Sequence, residues 1–297
     1  MNQGIKFAFL AAIISGFSIY VNKFAVGAVA SPVLFTTLKN FLVGLLLFSL
    51  LIFSKKIFQI KNISRKNLVK LLFIGFIGGA VPFYLFFTGL SQIPAVNGAI
   101  IHKTLVIWVT ILAIPFLKEK LTVTNLLAVG LLFYANIFIG GFKGFKYTGG
   151  ELMVLAATLL WTVENIIAKK TLTDVDPDVV AFFRMGFGSL ILIAAIFVTQ
   201  PTTFGQLTKI NLNQGLWIAV TTLSLFGYVV TFFRALKQAP AITVTSILVL
   251  STLITNLLSA RTQILPQAGL MTVGVLLLLK PFWSNIPVLR PQSKLKS

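Results

Sequence analysis

Glu164 is the only carboxylate placed well inside a long apolar stretch of this 297-residue chain, in "LWTVENIIAKK". A buried acid can carry a proton or neutralise a cation, so Glu164 and its neighbour Asn165 are the first candidates for chemistry. The alternative is structural, because the same carboxylate could form a fixed ion pair with Lys103, Lys39 or Arg184. The sequence therefore predicts either a proton-coupling site or a buried salt bridge at this position.

Lys39 and Arg184 are basic residues about two helical turns inside apolar stretches, roughly 10 Å from the nearer surface at 1.5 Å per residue. An ionisable side chain within hydrocarbon costs at least about 2.5 kcal/mol, so each needs a cavity, a partner or an interface. Both are candidates for substrate contact, with gating salt bridges as the alternative. Lys23 and Arg234 lie nearer to helix ends, from which long side chains can reach the interface.

His102 and Lys103 are adjacent in "NGAIIHKTLVIW". Neighbouring residues of a helix point about 100° apart, which predicts that one of the two lines a cavity while the other packs between helices. Trp108 and Trp161 are further candidates to line the cavity. Asn40 is a candidate for uncharged hydrogen bonding to a ligand.

Several kinds of chemistry lack the residues they need. The chain has no cysteine and one histidine, so thiolate catalysis, disulfides and thiol-rich metal sites are excluded, and no metal or cofactor is expected. A membrane enzyme acting on lipid-linked substrates is disfavoured, because its site would need clustered acids, metal ligands or an activated nucleophile. No GxxxxGK[ST] motif is present, so ATP cannot supply the energy for any coupled process.

Long apolar helices must position these residues. The chain is 57% hydrophobic and 10% charged, with a mean hydropathy of +0.96, whereas an average soluble domain has about 25% charged residues. Stretches long enough to cross hydrocarbon, about 20 residues each, predict an all-α integral membrane protein with ten transmembrane helices at roughly 6–27, 32–53, 68–90, 95–117, 122–141, 150–170, 178–198, 214–236, 240–260 and 264–283. The first stretch also resembles a signal peptide ending at Ala28-Val29-Ala30, but it is too long and contains Lys23.

The distribution of Lys and Arg predicts how the helices are oriented. With the N-terminus inside, sixteen basic residues fall on the inner side and four on the outer side, namely Lys143, Lys146, Lys209 and Arg261. Because basic loops stay cytoplasmic, we expect both termini in the cytoplasm and a position in the inner membrane. The net charge of +19 is thus interpreted as a topology signal, and no nucleic-acid partner is expected.

The chain contains an internal repeat. "FFTGLSQIPA" (86–95) recurs 146 positions later as "FFRALKQAPA" (232–241), with six of ten residues identical. Segment 15–40 likewise aligns with 161–185, which matches Lys39 to Arg184. Five predicted helices separate the two copies, so the copies point in opposite directions, and the pattern indicates two inverted five-helix repeats over 1–141 and 150–283, with a cytoplasmic tail over 284–297.

These residues also resemble a known family, the drug/metabolite transporter superfamily, and within it the EamA-type carriers of ten helices. The resemblance rests on "SGFSIYVNKFAVG" and "LWTVENIIAKK", on the "SP" and "DP" helix openings, and on "PFLKEKLT" (115–122). Two features depart from the family pattern: Ser15-Gly16 stands where a Trp-Gly pair is usual, and the second half has no match for Glu119.

Inverted repeats and the resemblance together predict a secondary transporter that works by alternating access around a cavity between the halves. Five basic groups against one acid within the membrane favour a small polar substrate with a carboxylate or phosphate, or a zwitterion such as an amino acid, with protons as a candidate coupling ion. A lipid flippase or channel on the same fold is the alternative. The inner loop that contains Asp174, Asp176 and Asp178 is a candidate gate latch, which would pair with Lys169, Lys170 or Arg184 in one state only.

Overall fold

The computed structural model describes residues 3–28, 31–139, 144–258 and 264–283. Within these ranges the secondary structure is entirely helical. The helices, numbered in chain order, are α1 (Gln3–Ala28), α2 (Pro32–Phe53), α3 (Arg65–Leu90), α4 (Ala95–Lys103 and Leu105–Leu117), α5 (Val123–Ile139), α6 (Gly149–Thr171), α7 (Pro177–Thr199), α8 (Leu212–Gln238), α9 (Ala241–Leu248 and Ser251–Leu258) and α10 (Ile264–Trp283). Short 3-10 helices, Lys56–Asn62 and Pro201–Lys209, connect α2 to α3 and α7 to α8.

Several helices begin where the sequence provides a cap. The hydroxyl of Ser31 accepts a hydrogen bond from the backbone N–H of Leu34 at the start of α2, and Pro32 follows at the first helical position. Asp176 caps α7 in the same way. Such residues satisfy backbone donors that a helix leaves unpaired at its N-terminus, which explains why the predicted starts at 32 and 178 lie within one residue of the observed ones.

Seven of the described helical segments are long and apolar enough to cross a membrane. Three shorter apolar helices, Val123–Ala135, Ala241–Thr255 and Ala268–Lys280, lie in α5, α9 and α10. The structure therefore confirms an all-helical membrane protein, while the number of ten crossings stays a prediction for these three helices.

The helices pack in related pairs. Helix α1 contacts α8 and α9, and α6 contacts α3 and α4; in addition α2 contacts α7, and α5 contacts α10. Under the predicted repeat, α6 is the equivalent of α1, α3 of α8, and α4 of α9. Exchanging the two halves therefore reproduces the same set of packing contacts.

Equivalent helices α3 and α8 run in opposite directions. Asn67 near the start of α3 donates a hydrogen bond to Asp174, just after the end of α6. Lys169, at that same end of α6, donates to the carbonyl oxygen of Leu236 in the last turn of α8. The start of α3 and the end of α8 consequently lie at one end of the bundle.

Glycines let α3 and α7 approach closely. Each helix contains a π-helical segment, Gly75–Ala80 in α3 and Phe183–Phe187 in α7, and the two segments pack against each other. A Cβ atom on Gly188 would lie 2.6 Å from the Cα atom of Gly79, so only glycine fits this contact. The sequence "GFIGGAVPF" predicts such close packing, and the structure confirms it.

The acidic loop between α6 and α7 has partners other than the expected ones. Lys56 Nζ lies 2.6 Å from Asp178 and 2.9 Å from Asp176, and Arg234 lies 3.1 Å from Asp178. Among the described residues no salt bridge joins this loop to Lys169, Lys170 or Arg184, and a latch that forms such a pair in one state only stays a prediction. The ammonium group of Lys169 is instead hydrogen-bonded to the backbone carbonyl oxygens of Leu236 and Ala239, at the end of α8.

Hydrogen bonds at this end of the bundle shift the pKa values of Lys56 and Asp174 in the directions that favour their charged forms. Partial burial disfavours the charge on Lys56, but hydrogen bonds to Asp178 and Asp176 outweigh that effect and raise the pKa of its ammonium group. The hydrogen bond from Asn67 lowers the pKa of the Asp174 carboxyl. Since a lowered carboxyl pKa contributes stability that is lost only as pH falls through the lowered value, the Asp174 contact is at full strength near neutral pH.

The carboxylate of Glu119 links two further segments at the same end of the bundle. Its two carboxylate oxygens accept hydrogen bonds from the backbone N–H groups of Ala241 and Ile242, at 2.6 Å and 3.0 Å. A carboxylate at a helix N-terminus satisfies unpaired donors and complements the helix dipole. Glu119 thus fixes the α4–α5 connection to the first turn of α9.

Candidate functional site

A cavity of about 200 Å³ lies between α1–α4 and α6–α9. It brings together most of the residues singled out from the sequence, and none of its described lining residues belongs to α5 or α10. The ionisable and amide side chains on its wall are Asn22, Lys39, His102, Lys103, Glu164, Asn165, Arg184 and Tyr228.

The side chains of Glu164 and Arg184 lie next to each other in the wall of this cavity. Arg184 Nε lies 3.4 Å from Glu164 Oε1, and both side chains are less than 10% exposed. Of the three basic partners that the sequence allowed, the structure selects Arg184. Neither oxygen of Glu164 has a hydrogen-bond donor in the described part of the chain, and Arg184 Nε has no acceptor there.

Lys39 is a buried basic residue whose ammonium nitrogen is held by a neutral group. Its Nζ donates a 3.1 Å hydrogen bond to Oδ1 of Asn22 in α1 and lies over the rings of Phe35 and Phe87, 5.0 Å and 5.2 Å from their centroids. Within the described residues no acidic side chain forms a salt bridge with it.

The surroundings of Lys39 and Arg184 repeat each other. The guanidinium carbon of Arg184 lies 6.0 Å from the ring centroid of Phe233, and Phe233 occupies in "FFRALKQAPA" the position that Phe87 occupies in "FFTGLSQIPA". Two equivalent cations therefore lie beside two equivalent aromatic rings, which stabilise positive charge through their π faces.

His102 and Lys103 both line the cavity, so the prediction that only one of them would is wrong. The His102 ring packs edge-on against Trp161, with ring centroids 5.0 Å apart, while Lys103 Nζ donates a 2.6 Å hydrogen bond to the hydroxyl of Ser251 in α9. Both residues lie in the segment Ala95–Lys103 of α4, and the cavity is wide enough to reach these two neighbouring positions.

Trp161 and Asn165, which both lie in α6, form part of the cavity wall. Trp161 Nε1 donates to the carbonyl oxygen of Gly78 in α3 at 3.0 Å, and its ring contacts Phe83 and Phe86. Asn165 donates to the carbonyl of Trp161, one turn earlier, which leaves its own Oδ1 without a partner among the described residues. Because a buried polar atom normally has a hydrogen-bond partner, this oxygen is a candidate acceptor for a ligand.

Trp108 and Asn40 lie outside the cavity. Trp108 is half-buried one turn beyond its lining and donates to the hydroxyl of Thr104 at 3.0 Å. Asn40 is fully buried beside Lys39, with no described hydrogen-bond partner for either polar atom. Arg234 binds Asp178 as described above, and the side chain of Lys23 is not among the described ones.

Sequence reasoning missed the polar stripe of α1. Ser15, Ser18 and Asn22 line the cavity and follow the spacing i, i+3, i+7, which places them on one face of a helix. In a helix that is otherwise apolar, this spacing was the signal that could have identified them.

A second, larger groove of about 320 Å³ lies between α2 and α7. It is lined by phenylalanine, leucine, glycine and one serine, and it shares no lining residue with the charged cavity. Because polar groups that fix a ligand are concentrated in the smaller cavity, the candidate site is assigned there.

Gly78 offers a test of whether the Glu164–Arg184 arrangement is needed. A Cβ atom at this position would lie 2.5 Å from Glu164 Cγ and 3.3 Å from Arg184 Nε. We expect Gly78→Ala to displace the pair, to lower stability by about 1–3 kcal/mol through overpacking, and to impair function. Thermal unfolding in detergent and a transport assay measure the two effects.

Gly130→Ala in α5 is the matched control. No heavy atom lies within 4 Å of a Cβ atom built there, so the added methyl group is expected to be neutral, or to stabilise the helix by up to about 1 kcal/mol. Equal loss of function in both variants would contradict a specific role for the contact at Gly78.

Comparisons with known proteins agree with these observations. A family model described as "EamA-like transporter family" matches residues 2–141 and again 148–262. The chain is 25% identical over 175 residues to "Uncharacterized transporter YyaM" of Bacillus subtilis (strain 168), covering 57% of this chain and 56% of that protein. It is 20% identical over 226 residues to an "Uncharacterized transporter" of Clostridium kluyveri, covering 74% and 72%.

The match thus spans little more than half the length of the Bacillus relative. A solved crystal structure shares the fold, with a TM-score of 0.73 over 93% of this chain and 98% of the other, at 14% sequence identity. Similarity at this level concerns the fold alone.

Proposed function

Since the chain belongs to the EamA-like transporter family, we propose that it is a secondary transporter of a small anionic or zwitterionic metabolite. The substrate is an amino acid or another solute that carries a carboxylate or phosphate group. It crosses the inner membrane by alternating access through the charged cavity, with both termini in the cytoplasm and protons as the coupling ion.

The observation that carries this proposal is the burial of Lys39 beside a neutral partner. Its side chain is 3% exposed and is held by the neutral amide of Asn22. A buried charge without an opposite charge is costly and is typical of functional sites in membrane proteins. A substrate anion would supply the missing negative charge.

The charge balance of the cavity supports the same substrate class. Lys39, Lys103 and Arg184 place three basic groups on its wall, and among the described residues Glu164 is the only acidic one that lines it. In a region of low dielectric such an excess attracts an anion much more strongly than in water. A zwitterion remains compatible, because its ammonium group could approach Glu164.

The volume of the cavity favours a small solute. Sites for drug-sized ligands enclose about 300–1,000 Å³, whereas this cavity encloses about 200 Å³. Metabolites with few heavy atoms fit that space.

Three features support alternating access by two inverted repeats. The family model matches the chain twice, the packing contacts of one half recur in the other, and α3 runs opposite to α8. Two inverted units can exchange conformations, which turns a cavity open to one side into a cavity open to the other.

The proposal is tested by uptake into proteoliposomes of labelled probes that differ in charge and size: lactate, benzoate, succinate, 3-phosphoglycerate, leucine, glucose and choline. We expect saturable uptake of at least one anion or of the zwitterion leucine, and none of choline. Uptake limited to choline or glucose would contradict the proposal.

A further inference from the structure

The geometry of the Glu164–Arg184 pair permits Arg184 to exchange Glu164 for another anion. The two groups are 3.4 Å apart and line the cavity, but no hydrogen bond joins them and neither Glu164 oxygen has another described donor. A buried ion pair offsets the cost of desolvation only when good geometry and further hydrogen bonds accompany it. This pair has the charge contact without those hydrogen bonds, so a substrate anion with better geometry can replace Glu164.

The two halves of the protein differ at this point. In the alignment of 15–40 with 161–185, Ser18 stands opposite Glu164, and Lys39 stands opposite Arg184. One of the two equivalent basic residues therefore has a built-in counter-ion, whereas the other, Lys39, has the amide oxygen of Asn22 and two aromatic rings but no carboxylate among the described residues.

We infer that a substrate anion takes the place of Glu164 beside Arg184 and that the displaced Glu164 takes up a proton, so that one proton travels with each substrate anion. This inference rests on the proposed transport of an anion. Before binding, the guanidinium and carboxylate charges cancel; after binding, the guanidinium and substrate charges cancel and the carboxyl group is neutral. For a monoanion the loaded and empty cavities carry the same net charge.

Burial provides the driving force for proton uptake. Glu164 is 1% exposed, and an isolated carboxylate in such a position is strongly disfavoured unless it is paired or neutralised. The other ionisable side chains facing the cavity are His102 and Lys103 from α4, Lys39 from α2 and Tyr228 from α8. None of these is a carboxyl group, so among the described lining residues Glu164 is the one whose negative charge a proton would neutralise.

The test uses proteoliposomes and whichever of the two monoanions, lactate or benzoate, the wild-type protein takes up. A pH gradient of one unit, acid outside, at zero membrane potential is expected to drive about tenfold accumulation. A valinomycin-imposed potassium potential without a pH gradient is expected to drive none, because the loaded cavity moves no net charge.

Glu164→Gln removes the proton acceptor and keeps the shape of the side chain. In this variant the pH gradient is expected to lose its effect, while exchange of labelled for unlabelled substrate persists. An inside-positive potential should then drive accumulation, about tenfold for each 59 mV per transported charge. Asp176→Asn is the matched control: it removes a carboxylate at the end of the bundle, where asparagine can still cap α7, and should keep the wild-type pattern.

A measurement on the unaltered protein guards against failure of the variant to fold. In weakly buffered detergent solution, binding of lactate or benzoate should remove one proton from the medium per bound anion. No proton uptake, or wild-type accumulation driven by potential and not by the pH gradient, would overturn the inference together with proton coupling, and would leave transport of the anion itself standing. No uptake of any anion or zwitterion in the panel would instead overturn the proposed function.

Discussion

Replacing Lys39 with glutamine is expected to reduce transport of the anionic substrate by about 100-fold. Loss of a buried charge partner costs about 2–5 kcal/mol, and each 1.4 kcal/mol is a factor of ten. Lys39 lines the cavity, and its hydrogen bond to Asn22 leaves its positive charge uncompensated. Initial rates of uptake into proteoliposomes over a range of substrate concentrations measure the effect.

The thermal stability of the Lys39→Gln variant distinguishes a role of Lys39 in binding substrate from a role in stabilising the fold. Because Lys39 is a buried cation without a described acidic partner, removing its charge should leave the thermal unfolding temperature unchanged or raise it. If Lys39 instead stabilised the fold, glutamine would lower both stability and transport.

Lys39→Arg is the conservative control. An arginine occupies the equivalent position in the second half, where Arg184 lies beside Phe233 just as Lys39 lies beside Phe87. Transport should therefore be largely retained in this variant. Arg184→Gln should also reduce transport, but it leaves Glu164 without a cation and so lowers stability as well. Unchanged transport in both glutamine variants would show that neither cation contacts substrate.

Much of the fold could be predicted from the sequence because hydrophobic length and capping residues are local signals. The ends of α2 were predicted to the residue, and Ser31 with Pro32 explains its start. The family resemblance is confirmed by the two matches of the family model. The equivalence of Lys39 and Arg184, read from two aligned segments, reappears as equivalent contacts with Phe87 and Phe233.

The choice of partners between helices could not be predicted. In a membrane protein the lipid-facing and core-facing sides of a helix are both apolar, so hydrophobic periodicity does not show which face meets which neighbour. The sequence allowed Glu164 three basic partners and expected the acidic loop to bind Lys169, Lys170 or Arg184. The structure instead uses Lys56 and Arg234 for the loop: Lys56 reaches it from the connection between α2 and α3 and Arg234 from the last part of α8, and both segments lie far away in the sequence.

The width of the cavity was a second source of error. The prediction that His102 and Lys103 would face different surroundings assumed a narrow cavity on one side of the helix. In the structure both residues lie in the segment Ala95–Lys103 of α4, and both line the cavity. The glycines of "GFIGGAVPF" predict close packing of α3, but the π-helical segments of α3 and α7 could not be predicted from the sequence.

Cysteines introduced singly at Gln92 and Gln238 are expected to react from opposite sides of the membrane. The two residues occupy equivalent positions of the repeated turn, and both are exposed. Gln92 contacts Met153 near the start of α6, whereas Lys169, near the other end of α6, binds the carbonyl of Ala239 beside Gln238. Sixteen residues of helix separate Met153 and Lys169, which places the two turns about 24 Å apart along the axis.

Because the chain contains no cysteine, each variant has a single thiol for a membrane-impermeant maleimide. The excess of Lys and Arg at the end that contains Gln238 predicts that this end is cytoplasmic, so Gln92→Cys should be labelled in intact cells and Gln238→Cys only in inverted vesicles. Gln59→Cys, on the exposed connection between α2 and α3, should behave like Gln238→Cys. Labelling of Gln92→Cys and Gln238→Cys from one side would exclude inverted repeats, and with them the exchange of conformations on which alternating access depends.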